Sequence, residues 1–442
     1  MSTRTRNFPS LATSDALHQR AAGLIPAFTQ TLAKGPGQHV FGVAPKYLRR
    51  GKGAWVWDVD GNEFLDMTMA VGPLVLGYAH PAVNDAIRLQ LEEGITFSLP
   101  HPLEVEVAEA LRDAVPGVEA VRFSKTGADV TSAAVRLARA FTGRDRIVCC
   151  GYHGWHDWYI AVTDRSRGVP AAIADLTSTF EYGDLDSLDQ ALDGQTACVI
   201  LEPAVFDPPP PGFLEGVRER CERNGSLLIF DEMWTGFRLA LGGAQERFGV
   251  RCDLATFSKA LANGMPLSAL AGRADVMRLL DRDVFFFTTF GGEALSLAAA
   301  KATLAELKAG AVPAFLDAKG LLIRDGYNAI ASRLGLGEVT RCRGFGCRSS
   351  VSFDPAAVPP LEAKSLLQQE LIRRGVLWSG SHNLSAAHGD FEVGFLLSAY
   401  EESLEVLHDA AASGSIAARL EGLPVEPVFR RTSGFNTRPR PR

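Results

Sequence analysis

Ser226-Leu-Leu-Ile-Phe-Asp-Glu232 and, further along, Phe257-Ser-Lys-Ala-Leu-Ala-Asn-Gly264 decide how this chain is read. The first is an apolar run, 227–230, closed by two acids. The second follows another apolar run, 254–257, and places Lys259 before a small, polar turn. Short runs that are apolar on both faces read as strands buried in the middle of a covered sheet. An acid and a lysine that each follow such a strand fall where open α/β sheets bind ligands, at the carboxyl ends of the strands.

Further strands are expected at Arg146–Cys150, Ala197–Leu201 and Ser268–Ala271. Helical segments lie between most of them. Val121-Arg-Phe123 precedes a helix whose apolar face is Val130, Ala133, Ala134, Leu137, Ala138 and Phe141, at i, i+3, i+4, i+7, i+8 and i+11. Gly143 stops it. Alternating strands and helices predict an α/β fold, a mainly parallel sheet covered by helices. Residues 53–67, GAWVWDVDGNEFLDM, alternate around Asp60-Gly61 and predict a hairpin. Later come a strand at Cys347–Phe353 and helices near Leu361–Arg374 and Glu401–Ala411. The expected division is residues 1–74 joining a smaller α+β domain, 75–314 as the large domain, 315–425 as the C-terminal part of the smaller one, and 426–442 as a basic tail.

The 442 residues are 46% hydrophobic and 22% charged, with net charge -6, which is ordinary globular composition. Nothing basic enough for a nucleic-acid track occurs outside the tail from Arg430-Arg431 to Arg442. No apolar run approaches the roughly 20 residues that span a bilayer. The opening MSTRTRNFPS lacks the apolar core of a signal peptide, so a cytoplasmic location is expected. The seven cysteines have no paired metal-ligand spacing, and His153 and His156 lack a third ligand, so no metal site is expected.

The chemistry rests on Lys259 and Asp231. Such a lysine can hold pyridoxal phosphate (PLP) as a Schiff base and carry protons between substrate carbons. Such an aspartate can keep the pyridine nitrogen protonated, or it can simply cap a helix. Thr126-Gly127-Ala128-Asp129 has capping-box spacing, and the free amides of a helix start make a phosphate seat. Tyr152-His153-Gly154-Trp155 follows a strand and offers an aromatic to stack on a flat ring.

Taken together, GAWVWDVDGNEFLD, PLEVEVAEAL, TSAAVRLARAFTGRD, GYHG, PGFLEGVRERCERNGSLLIFDEMWTGFR and FSKALANGMPLSALAGR resemble the class III aminotransferases. These are fold-type I PLP enzymes with a seven-stranded-type sheet, and the similar subgroup is that of glutamate-1-semialdehyde 2,1-aminomutase and related aminotransferases. The resemblance implies roles. Lys259 is the Schiff-base lysine, and Asp231 pairs with the pyridine nitrogen. Tyr152, in the segment with His153, covers one ring face. Met233, where relatives often have valine, covers the other. Thr126, Gly127 and Ala128 bind phosphate, where relatives commonly show Ser-Gly-Thr, so a hydroxyl is lost at 128. Thr289 reaches the phosphate of a neighbouring subunit, which implies a homodimer. Glu202 also matches, near the cofactor or in a structural salt bridge, and Arg238 matches with a structural ion pair expected.

The reaction implied is amino transfer from an amino-acid donor to an aldehyde or ketone. Intramolecular transfer by an aminomutase is the alternative, and a PLP-binding protein without turnover is a third. The mutase typically carries an arginine in Ser-Pro-Val-Arg and a Phe-Gly-Ala-Pro-Thr-Glu loop. Here those regions read Gly37-Gln-His-Val-Phe-Gly42 and Phe97-Ser-Leu-Pro-His-Pro102. Trp155, Trp158, Trp378 and the run Ser379-Gly-Ser-His-Asn383 suggest an aromatic platform for a sugar, cyclitol or specialised-metabolite acceptor.

Overall fold

The computed structural model describes residues 7–426. The basic tail, with Arg430 and Arg431, and the first six residues lie outside them. The chain forms two compact units, one of residues 81–313 and the other of the flanking residues up to 80 and from 314.

The N-terminal part of the flanking unit supplies β1 (Leu48–Lys52), β2 (Trp55–Asp58) and β3 (Glu63–Asp66). β2 and β3 pair antiparallel around Asp60-Gly61. Gly61 sits at φ 91°, which a side chain rarely adopts, and Asp58 Oδ1 accepts from the Asp60 and Asn62 amides. The predicted hairpin is present.

The central unit holds β4 (Ala120–Ser124), α1 (Gly127–Thr142), β5 (Arg146–Cys150), β6 (Thr177–Thr179), β7 (Thr196–Leu201), β8 (Leu227–Asp231), β9 (Leu254–Phe257), β10 (Ser268–Gly272) and α2 (Ala294–Ala309). Its seven strands form one sheet in the order β4-β10-β9-β8-β7-β5-β6. β5 to β9 pair in parallel, and β10 runs antiparallel to both β4 and β9. Every residue of β7, β8, β9 and β10 is buried, as expected of strands covered on both faces.

α1 covers one face with small and branched side chains. Val130, Ala133, Ala134, Leu137 and Ala138 pack on Ile147, Cys198, Ile229, Leu254 and Leu270. Each fully buried Val or Leu there contributes about 1.5–3 kcal/mol. Phe141, placed on the same face by its spacing, is 40% exposed, and the Arg273 guanidinium lies over its ring. Gly143, at φ 66°, closes the helix with its amide on the Arg139 carbonyl.

The flanking unit resumes with β11 (Thr340–Phe345), β12 (Arg348–Phe353), α3 (Pro360–Arg373), β13 (Val376–Leu377), β14 (Ser381–Asn383) and α4 (Asp390–Ala412). β13 joins β3 in parallel, and β11, β12 and β14 form a separate antiparallel sheet. α4 starts well before the predicted Glu401. Glu392 accepts from the Gly389 amide and so fixes that earlier start, while Gly394 interrupts the pattern that would have revealed it.

Candidate active site

Six strands of the central sheet, β4 to β9, point the same way, and the residue types singled out above follow the carboxyl ends of five of them. Thr126 follows β4, Tyr152 and His153 follow β5, Glu202 follows β7, Asp231 ends β8, and Lys259 follows β9. The β5 loop contacts Thr131, Glu202 and Asp231.

Thr126 caps α1. Its hydroxyl accepts from the Asp129 amide at 3.2 Å, and Asp129 Oδ2 accepts from the Thr126 amide at 2.9 Å. The capping box expected from the spacing is therefore formed, and Ser124 Oγ donates to the same carboxylate. As the first helical residues, Gly127 and Ala128 have no intrahelical acceptor for their amides, so those amides and the positive helix end face outward. Met233 packs on Gly127, its sulfur only 2.9 Å from where a Cβ would sit, so any side chain at 127 would displace it. Thr126→Ala is expected to cost about 1 kcal/mol of stability. Thr126→Ser is expected to recover it, read as the shift in melting temperature.

The β5 loop packs onto the same helix start. Gly154, at φ 102°, leaves only 2.8 Å between its missing Cβ and that of Ala128. Thr131, buried inside α1, donates to the His153 carbonyl at 2.9 Å. Tyr152 is held by its amide on Glu202 Oε2 at 3.0 Å, while its ring stays 46% exposed. Burial first, then the charges of Asp231 and Glu202, raise its phenol above the usual range, so it stays protonated at neutral pH. Glu202 thus fixes the Tyr152 backbone, where a place near the cofactor or a salt bridge was expected. Arg238 is buried.

Asp231 is buried between two donors. His153 Nδ1 lies 2.8 Å from Oδ2, and the Met233 amide donates to Oδ1 at 3.1 Å. His153 Nε2 lies 3.1 Å from the Cys150 carbonyl. His153, expected from the sequence to bind cofactor, is buried with its ring against the Asp231 carboxylate. The helix-cap alternative for Asp231 does not hold, because no helix starts there. No group of three or more His, Cys, Asp or Glu side chains that could hold a metal occurs among the described residues.

Lys259 opens a short 3-10 turn, Lys259–Ala262, with its backbone at φ 41°. A left-handed lysine is uncommon and concentrates strain at functional positions. Ser258 Oγ donates to the Leu267 carbonyl at 2.7 Å and ties the loop across its base. The Lys259 Nζ lies 3.9 Å from the centroid of the Trp234 ring. That ring steadies the ammonium by cation–π attraction and fixes its direction. Trp234 was missed in the sequence, and its place three residues after Asp231 was the available signal. Thr289 is exposed on the segment before α2, outside this cluster.

Glu232, next to Asp231, is a further buried acid. Burial pushes its carboxyl up to about 7, opposed by donors from Ala244, Gln245 and Thr235 and reinforced by Asp231. The folded state therefore keeps a proton that the unfolded chain releases above pH about 4.5. The stability held by this group is present below that pH and is lost as pH rises through about 7, on the order of 3 kcal/mol. Glu232→Gln removes the titration. Melting temperatures at pH 5 and pH 8 are expected to differ less in the variant than in the wild type.

A primary amine, a buried carboxylate, outward helix amides and an exposed aromatic ring form the donor set that PLP chemistry requires. Two of the three tryptophans proposed as an acceptor platform do not serve it. Trp158 and Trp378 are buried, and His382 and Asn383 are buried with them. His382 is spent on Ser349 and Tyr400. The aromatic bulk packs the core, and among the three only Trp155 is exposed.

The aminotransferase class-III family matches residues 41–386. The chain is 35% identical to a glutamate-1-semialdehyde 2,1-aminomutase of Syntrophobacter fumaroxidans, over 93% of this chain and 98% of that protein. It is 38% identical to a 3-aminobutyryl-CoA aminotransferase of Cloacimonas acidaminovorans, over 70% of this chain and 76% of that one. Among solved structures, the PLP internal aldimine form of the FumI protein of Sphingopyxis sp. MTA144 superposes with TM-score 0.85. It is 29% identical, covering 91% of this chain and 98% of that chain. This chain belongs to the class III aminotransferase family.

Proposed function

We propose that this chain transfers an amino group from an amino-acid donor to an aldehyde or ketone, with PLP as cofactor. The observation that carries the reading is the convergence of Lys259, Asp231, Tyr152 and the Thr126 helix start at one sheet edge. PLP supplies an electron sink for the substrate carbanion. Asp231, braced by His153, holds the proton on the ring nitrogen. The Gly127 and Ala128 amides take the phosphate, and Tyr152 covers a ring face. Lys259 Nζ takes the proton from one carbon and returns it to the other, over the Trp234 ring that limits its swing.

Aminomutase chemistry is the second reading, favoured by the names of relatives at 35% and 36% identity. Against it stands Gly37–Gly42, which offers no arginine to grip a substrate carboxylate. The chain works as a homodimer in which Thr289 serves the phosphate seat of a second copy. Support comes from the exposure of Thr289 between the exposed Phe287 and Phe290. It works in the cytoplasm, a reading supported by seven free, buried cysteines.

The test is a half-reaction on the purified holoenzyme. L-Glutamate alone is expected to bleach the visible cofactor band and release one 2-oxoglutarate per site. An unchanged band, with turnover of glutamate-1-semialdehyde, would establish the mutase instead. Sedimentation equilibrium at monomer mass would remove the dimer.

A further inference from the structure

The turn that leads into α2 is fastened to the segment that leads into α1. Ser124 and Thr126, on either side of Lys125, both serve Asp129. The Ser124 hydroxyl donates to its carboxylate at 2.9 Å, and the Thr126 hydroxyl accepts from its amide at 3.2 Å. Lys125 reaches instead to Glu293, with Nζ 2.9 Å from Oε1. The amino-transfer chemistry leaves this pair without a task.

Both ends of the pair are held. Glu293 caps α2 and accepts from the Leu295 amide at 2.8 Å and the Ser296 amide at 3.1 Å. The Ser296 hydroxyl donates to the same Oε1 that receives Lys125. The glycines before Glu293 leave no slack. A Cβ at Gly291 would sit 2.9 Å from the Phe123 carbonyl oxygen, and one at Gly292 2.6 Å from the Glu104 carboxyl carbon. The turn backbone therefore lies directly on the end of β4.

The pair is also sheltered. The Lys125 side chain is 19% exposed and that of Glu293 11%, so solvent and salt screen it less than a surface pair. Burial lowers the Lys125 amine, opposed by Glu293. Burial would raise the Glu293 carboxyl, but Ser296, Lys125 and the Leu295 amide hold it below its ordinary value.

Neither helix needs this contact for its cap. Thr126 and Asp129 close the box of α1 by themselves, and Glu293 meets the first amides of α2 without help. What the ion pair adds is a fixed separation between two helix starts. One of them presents the Gly127 and Ala128 amides just after Lys125. The other is preceded by the turn that carries Thr289.

We infer that the Lys125–Glu293 pair positions the start of α1 for the cofactor's phosphate, with neither residue acting as a catalytic group. The pair has this role only if the α1 start is the phosphate seat, as proposed above. Contacts from amides to a phosphate are charge-assisted and directional, so a seat set loose by about 1 Å loses much of its grip.

The test titrates the full chain with PLP and with pyridoxal, which lacks the phosphate, and follows the visible band. The wild type is expected to bind PLP the more tightly. Lys125→Met is expected to weaken PLP about tenfold, the scale of one charge-assisted contact, and to leave pyridoxal unchanged. Lys125→Gln takes its place if the methionine variant fails to fold. Glu293→Gln keeps an acceptor for the α2 amides but releases the ammonium, so it is expected to weaken PLP as well. The double variant is expected to bind PLP no more weakly than Lys125→Met alone, because both changes break one contact. Lys125→Arg keeps a cation for Glu293 and is expected to restore the preference for PLP. Unchanged PLP binding in the variants, an equal loss for pyridoxal, or tighter PLP binding by Glu293→Gln would each overturn the positioning role while leaving the phosphate seat in place. A wild type that bound pyridoxal as tightly as PLP would overturn the seat, and the role of the pair with it.

Discussion

Lys259→Ala is expected to lower turnover by at least about four orders of magnitude, on the order of 5 kcal/mol of barrier. The reasoning is local. Lys259 is the amine placed at the carboxyl edge beside Asp231, and its Nζ is aimed by Trp234. Alanine keeps the Cβ, so the left-handed backbone at φ 41° carries the same strain and the fold is expected to survive. The visible band of the bound cofactor shifts at once, because its link to the protein is gone. Lys259→Arg does not rescue, since a guanidinium stays protonated and cannot shuttle a proton. Single-turnover kinetics and a melting curve separate the two effects. A variant that retained a tenth of wild-type turnover would remove Lys259 from the mechanism.

Asp231→Asn carries the second large effect, about a thousandfold in turnover, by analogy with the loss of a preorganised charge in a buried site. Asparagine fits the same space and keeps an acceptor for the Met233 amide, but it cannot hold a proton on the ring nitrogen. Asp231→Ala is expected to lose as much turnover and, in addition, about 1–3 kcal/mol of stability, because His153 Nδ1 is left buried without an acceptor. Turnover measured beside melting temperature distinguishes them. Equal melting of the two variants would show that the His153 contact does not brace the acid.

Much of this site was legible because its residues stand next to their own strands. Asp231 and Lys259 each follow a buried apolar run, and Thr126 carries the spacing of a capping box. What could not be read was tertiary. The His153 ring turns away from solvent to reach Asp231, a residue far along the chain, and sequence offered only an aromatic cluster after β5. Trp158 and Trp378 look alike in sequence to the exposed Trp155, and only packing tells a core indole from a surface one. The early start of α4 was hidden because Gly394 breaks the local pattern while Glu392 caps it.

β10 has a consequence for how the protein acquires its activity. It forms a hairpin with β9, its neighbour in the chain, so the loop carrying Lys259 can be set by local pairing. The same strand must also capture β4, which left the ribosome much earlier and leads into the capped start of α1. Local closure is fast and long-range closure slow. During refolding, amides of the β9–β10 hairpin should become protected from exchange before those of β4. Cofactor affinity should then appear only with the later phase, when the two halves of the site first share a sheet.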